Sequence, residues 1–245
     1  MLTNLRRALR KWLAPALRLR FALARRNLAD RVTGMAAQMS GLSRTGPAPP
    51  GLPELVKVTQ PIRASEHFEG KLANLALAAQ RLNGIGLPPG KILSFWALMG
   101  EPAEKNGFAL GRAIRADVLG PDIGGGLCQI SGLAYELGLR AGLTIIERHP
   151  HSQDLYTEAA RFTPLGLDAT VVWGHKDLRL RNDGPESFVF GFEVSPAEIT
   201  GRVWSNGVAQ VLRLERVDDT ASGVRQVQVW RGAERMSRDD YESPG

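Results

Sequence analysis

The 245-residue sequence predicts an α+β fold, with N-terminal helices and one central cysteine-bearing helix packed on a mainly antiparallel β-sheet. Two observations carry this reading. Stretches in which apolar residues recur at helical spacing lie before residue 142, whereas runs rich in β-branched and aromatic residues follow one another from residue 144 onward. Helices followed by a block of strands is the order of an α+β chain, not the strict alternation of a parallel α/β one. A hydrophobic content of 43% in a chain of this length suffices for one sizeable core.

Residues 1–39 read as a basic amphipathic helical arm. Leu2, Leu5, Leu9, Trp12 and Leu13 follow a helical spacing, with Arg6, Arg7, Arg10 and Lys11 between them. From Arg6 to Arg31 there are nine basic residues against a single acid, Asp30, so most of the formal net charge of +6 sits here. Two readings stand. The arm lies on an anionic membrane surface, or it packs on its own domain with the arginines facing water. Its longest apolar run, Trp12 to Leu17, is far shorter than the roughly 20 residues of a spanning helix and shorter than the apolar core of a secretory signal. A cytoplasmic location, at most peripheral to the inner membrane face, is the expectation. The rest of the chain is close to neutral, and no nucleic-acid partner is expected from a charge confined to one arm.

Segment 40–53 is rich in Pro, Gly and Ser and reads as a linker, leaving 54–245 as the α+β domain. Glu69 to Leu82 carries Leu72, Leu75, Leu77, Ala79 and Leu82 without a breaker and predicts a helix that ends at Asn83-Gly84. Ile92 to Phe95 reads as a short strand after Pro88, Pro89 and Gly90. Further strands are expected at Thr144–Arg148, Ala169–Trp173, Leu178–Arg181, Phe188–Val194, Gly201–Trp204, Ala209–Leu214 and Val224–Trp230, with Gly, Pro, Asn or Asp in most gaps.

The chemistry concentrates in 121–152. Gly124, Gly125 and Gly126 let the backbone take positive φ or approach a ligand. Behind them Leu127, Ile130, Ala134, Leu137 and Ala141 recur at helical spacing, with Gly142 as the stop. Cys128 thus falls in the first turn of a helix, where unpaired amides and the positive end of the dipole favour a thiolate. From Cys128 to Ala141 the helix advances about 20 Å at roughly 1.5 Å per residue. From Thr144 to His151 a strand returns about 23 Å at roughly 3.3 Å per residue. If Gly142 reverses the chain, His151 arrives level with Cys128. His149 shares its strand parity and is the rival. Asp168 is placed to orient the imidazole. A lone cysteine is otherwise most often a small buried hydrophobe. His67 and His175 have no such context and receive no role. The single cysteine excludes an intramolecular disulfide and a Cys-rich zinc site, and neither a metal nor a cofactor is expected.

Asp122-Ile123-Gly124-Gly125-Gly126-Leu127-Cys128-Gln129-Ile130-Ser131 resembles the central motif of the VanW family. Ala141-Gly142-Leu143, Glu147-Arg148, His151-Ser152, Gly166-Leu167-Asp168-Ala169-Thr170-Val171 and Asp177-Leu178-Arg179-Leu180-Arg181-Asn182 are similar to its later blocks. Upstream, Pro89-Gly90-Lys91-Ile92-Leu93-Ser94-Phe95 and Gly100 also fit. The resemblance spans about residues 56–195 and reaches neither the basic arm nor the C-terminal strands.

The resemblance implies a link to the bacterial envelope, since the family is named for an accessory gene of B-type vancomycin resistance. It also implies L,D-transpeptidase-like acyl transfer on peptidoglycan stem peptides, an activity associated with some VanW domains through the motif cysteine. On that analogy Cys128 attacks a stem-peptide carbonyl and His151 takes the thiol proton. Amides near Gly126 and Cys128 hold the oxyanion, and Gly124, Gly125, Gly126 and Gln129 lie against the substrate. Arg148 either forks a stem-peptide carboxylate or pairs with Glu147 or another acid. The alternative is a non-catalytic accessory protein that binds a cell-wall precursor or partner in the same cleft.

Overall fold

The computed structural model describes residues 14–46, 49–64, 66–115, 118–154, 161–219 and 223–242. The amphipathic pattern from Leu2 to Leu13 lies outside these. Helix α1 (Pro15–Val32) opens with Pro15 in its first turn, where a missing N–H forfeits no hydrogen bond. There follow α2 (Met35–Met39), β1 (Ser43–Arg44), β2 (Glu54–Pro61), α3 (Phe68–Leu82), β3 (Ile85–Leu87), β4 (Ile92–Ser94), α4 (Phe95–Met99), and the hairpin β5 (Leu110–Arg115) and β6 (Val118–Ile123). Helix α5 (Leu127–Arg140) begins at the glycine turn, and β7 (Thr144–Glu147) follows. The chain ends on β8 (Arg179–Arg181), β9 (Phe188–Val194), β10 (Glu198–Trp204), β11 (Leu212–Asp219), β12 (Val224–Arg231) and β13 (Glu234–Glu242).

The fold is α+β. A five-stranded sheet runs β1-β3-β9-β10-β2, three-stranded sheets run β4-β8-β7 and β11-β12-β13, and every pairing between these strands is antiparallel. Helix α5 is the centre of the core. From Leu127 to Leu139 all but Cys128 are buried, the signature of a helix covered on all sides. Glycines set how closely its neighbours approach. A side chain at Gly201 on β10 would meet Leu137 at 2.6 Å, and one at Gly138 would meet Leu180 on β8 at 2.8 Å. The helix is thereby clamped between the five-stranded sheet and β8, which fixes where its N-terminal turn opens.

Several expectations need correcting. Ala169–Trp173 is not a strand: only Val172 makes a bridge, to Lys176. The segment's polar backbone is satisfied elsewhere, Ala169 O by the Ser131 hydroxyl at 2.6 Å and Thr170 N by the His149 carbonyl at 2.7 Å. The run expected at Ala209–Leu214 is shifted to β11, and β2, β3, the β5–β6 hairpin and β13 were not anticipated. Within 40–53, β1 pairs with β3, and Arg44 collects the carbonyls of Gln80, Arg81 and Asn83 at the C-terminal end of α3, the end a cation favours. Helix α1 is fastened to the sheet region by charge. Asp30 receives both terminal nitrogens of Arg179 at 2.6 and 2.8 Å, and Arg26 meets Glu147 at 2.6 Å.

Candidate active site

The glycine turn owes its shape to two different demands. Gly124 and Gly126 have φ of 81° and 98°, in the region that disfavours side chains. Gly125 is needed for space: a Cβ there would fall 2.2 Å from the Gly111 carbonyl. Buried Asn74 on α3 holds the arrangement, donating to the carbonyls of Ala109 and Gly125, both at 2.9 Å, and accepting from Ala109 N at 2.8 Å. In this turn the amides of Gly124, Gly125, Leu127 and Gln129 are taken up by Ala109, Asp122, Gly124 and Gly126. The amides of Gly126 and Cys128 have no acceptor among the described residues.

Cys128 stands half-buried in the first turn of α5. Its thiol donates to the Val171 carbonyl at 3.9 Å, and it shares a cleft with the His151 imidazole, whose charge reaches it. Nδ1 of His151 meets Asp168 Oδ2 at 2.6 Å, which leaves Nε2 as the ring nitrogen available to the sulfur. Asp168 also accepts the His151 backbone N–H at 2.7 Å, the Tyr241 hydroxyl at 2.6 Å and Arg148 Nη2 at 2.9 Å. Burial pushes the thiol up, but the neighbouring His151 imidazole and its charge, with the Val171 carbonyl, bring it below its ordinary value. Burial likewise opposes the charged imidazole. Its bond to Asp168 and the nearby Cys128 sulfur outweigh that and raise it to about 10. Despite burial, His151, Arg148 and Tyr241 hold Asp168 well below the usual carboxylate range. Each group thus favours the charged form of the next: Asp168 favours an imidazolium at His151, and His151 favours a thiolate at Cys128.

These groups lie on a cleft of about 520 Å³, which Gly124, Gly126 and Gln129 also line. Gln129 is anchored by its Nε2 on the Pro61 carbonyl at 3.0 Å, while its buried Oε1 has no hydrogen-bond partner among the described residues. Two expected substrate contacts are corrected. Gly125 is not on the cleft, because its face is packed on Gly111. Arg148 is not on it either: its side chain is 5% exposed and is consumed by Asp168 and Asp239, with the Tyr135 ring 4.9 Å from its guanidinium carbon. A guanidinium held this way positions Asp168 and cannot fork a ligand.

His149 turns away, to Glu147 at 3.0 Å, and is absent from the cleft lining. His67 sits at positive φ before α3, whereas His175, given no role above, does line the cleft. Tyr241, Asp239, Tyr135 and the Val171 carbonyl were missed. A buried tyrosine near the end of a charged strand, at 0% exposure, leaves no periodic trace in the sequence. Among the described residues no group of three His, Cys, Asp or Glu is arranged to hold a metal.

Fold and site together define an α+β protein with a cysteine and an aspartate-held histidine on one cleft at the mouth of a buried helix. A family model described as "VanW like protein" matches residues 70–204, and the chain belongs to that family. It is 33% identical over 144 residues to the vancomycin B-type resistance protein VanW of Enterococcus faecalis, covering 59% of this chain and 52% of that one. It is 32% identical over 109 residues to the uncharacterized protein YoaR of Bacillus subtilis, covering 44% and 34%. The match thus spans about half or less of these relatives' length. No solved structure matches.

Proposed function

We propose that this protein is a cysteine-dependent acyltransferase acting on peptides of the peptidoglycan stem-peptide type. The observation that carries the reading is Cys128, His151 and Asp168 on one cleft beside two amides, those of Gly126 and Cys128, with no acceptor among the described residues. The Cys128 thiolate attacks the carbonyl of a peptide amide, forming the S–C bond. The oxyanion is received by the two amides. As the C–N bond breaks, the His151 imidazolium gives its proton to the departing amine. An acceptor amine then attacks the thioester, His151 removes its proton, and the thiolate departs with the new amide complete. The name of the Enterococcus relative supports the cell wall as the source of the substrate.

Intact-protein mass spectrometry after mixing with a stem tetrapeptide tests this. The expected result is a mass increase equal to the acyl fragment, removed by hydroxylamine and absent from Cys128→Ala. Peptide that binds without any covalent adduct would favour the accessory binding protein instead.

A separate observation bears on the arm. Leu17, Phe21, Ala24 and Leu28 form one stripe on α1, with Phe21 60% and Leu28 63% exposed. Exposed Arg18 and Arg25 flank it on one side and Arg20 and Arg31 on the other. We infer that this face rests on an anionic membrane surface. Among the described residues no helix is long and apolar enough to cross a membrane. Sedimentation with phosphatidylcholine–phosphatidylglycerol vesicles should fall on adding salt and in Phe21→Ser/Leu28→Ser. Equal binding by that variant would overturn the assignment.

A further inference from the structure

We propose that Lys71 and Arg112 form a carboxylate subsite beside Cys128, so that the acyl donor is a peptide acid seated with a free carboxylate next to the bond under attack. The inference rests on the acyl-transfer reading of the cleft and narrows its substrate class.

The placement follows from the elements that hold the glycine turn. Lys71 lies on α3 almost one turn before Asn74, the residue whose amide holds Gly125. Its stem lies over the turn itself, since a Cβ at Gly126 would come 2.7 Å from Lys71 Cγ. Arg112 on β5 directly follows Gly111, the residue packed on Gly125. Both side chains line the same cleft as Cys128 and His151. They are close enough to feel each other: burial, and then the charge of Arg112, lower the Lys71 ammonium to about 8.

The charges around them are already spoken for. Arg161 is bound to Asp154, which also holds Arg225. Glu101 meets Lys105 at 2.9 Å, Asp122 accepts from Ile123 N at 2.9 Å, and Asp168 is engaged by His151, Arg148 and Tyr241. The side chains of Lys71 and Arg112 have no hydrogen bond or ion pair to any described residue. Two like charges, both half-buried and side by side, repel each other, and an anionic group between them relieves both at once. A planar guanidinium beside a compact ammonium suits a carboxylate, the first as a fork and the second as a point charge. The buried, unpartnered Oε1 of Gln129 on the same cleft offers an acceptor for a peptide N–H. A chain end with its carboxylate on Lys71 and Arg112 is thus held close to the nucleophile.

Two alkylating agents that differ in charge isolate this subsite. Iodoacetate carries a carboxylate and iodoacetamide does not, while both modify the same thiolate. The readout is the ratio of their second-order rates on Cys128 at neutral pH and low ionic strength, which cancels any change in thiolate fraction. The ratio should fall about fivefold in Lys71→Met and in Arg112→Met, equivalent to about 1 kcal/mol, and Lys71→Arg should restore most of it. In the unaltered protein, salt should slow iodoacetate but leave iodoacetamide unaffected. That measurement stands even if a variant fails to fold. A ratio indifferent to both substitutions, or an iodoacetate rate indifferent to salt, overturns the subsite. Failure of the acyl-transfer reading would be seen separately, as an iodoacetamide rate no faster than that of a free thiol.

Discussion

Asp168 accepts four hydrogen bonds from three residues, and two of them come from His151 alone, through its backbone and its ring. This double grip fixes the ring's orientation and leaves Nε2 for the thiol. Spacing arithmetic favoured His151 over His149, yet the two histidines are separated in the folded protein by more than spacing. His149 is tied to Glu147, itself tied to Arg26 on α1, so one belongs to the cleft and the other to the arm's anchorage. Loss of His151 leaves burial as the dominant influence on the thiol, and burial alone raises it. His151→Ala should therefore move the pH midpoint of iodoacetamide alkylation above the ~8.5 of a free thiol, whereas the unaltered protein titrates below it and His149→Ala behaves like the unaltered protein. Equal shifts in the two variants would refute the division. Stability carries the same signature. The His151 contribution is complete below its ordinary 6.5 and lost as pH rises through about 10. That of Asp168 is complete above its ordinary 3.8 and lost as pH falls through its lower folded value. Asp168→Asn should flatten both limbs of the profile of urea midpoints.

Elements differ in how plainly the sequence displayed them. Helix α5 was legible because a continuous 3.6-residue pattern and a glycine at each end leave few alternatives, and so was α3. The 169–173 run was misread because its inward residues answer to burial against α5, not to a sheet: Ala169 is 1% and Val171 7% exposed, and Ser131 takes up the Ala169 carbonyl. Helix α1 shows a third case. Its composition announced a basic segment, but its inward residues, Leu23, Arg26 and Asp30, join contacts that no local pattern encodes. Leu23 packs against Gly174, and Asp30 neutralises Arg179, whose side chain is 9% exposed between Asp30 and Asp177. Removing one partner of a buried pair leaves the other poorly compensated. Asp30→Ala should lower unfolding stability by about 2–3 kcal/mol, less than a wholly orphaned charge because Asp177 remains. Arg18→Ala, on the exposed face, should change it by less than about 0.5 kcal/mol. Comparable losses from the two would mean that the latch contributes nothing specific.

Across the whole molecule, the candidate site is assembled from segments far apart in sequence, and only part of it was readable from one motif. Cys128 and the glycine turn are contiguous, and His151 follows within one helix-and-return. The support beneath Asp168 comes from β13, beyond the family match that ends at residue 204. Strand β13 was missed because its inward face at this point is Asp239 and Tyr241, an acid and a phenol in place of an apolar alternation. In the fold Asp239 holds Arg148, Arg148 holds Asp168, and the Tyr241 hydroxyl donates to Asp168 while accepting from Gly166 N at 2.9 Å. The C-terminal sheet is thus part of the site's foundation as well as a covering layer. Tyr241→Phe keeps the ring in its fully buried place but removes both hydrogen bonds, stranding the Gly166 amide. A stability loss of about 1–3 kcal/mol should follow, and a structural role alone predicts no more than that. If Tyr241 also positions Asp168, the alkylation midpoint of Cys128 should move as well, because an Asp168 less firmly held orients His151 less well. The midpoint should rise in Tyr241→Phe and stay in place in a control of similar stability loss made elsewhere in the core, such as Ile199→Val. An unchanged midpoint in Tyr241→Phe would confine the C-terminal strand to holding the fold together.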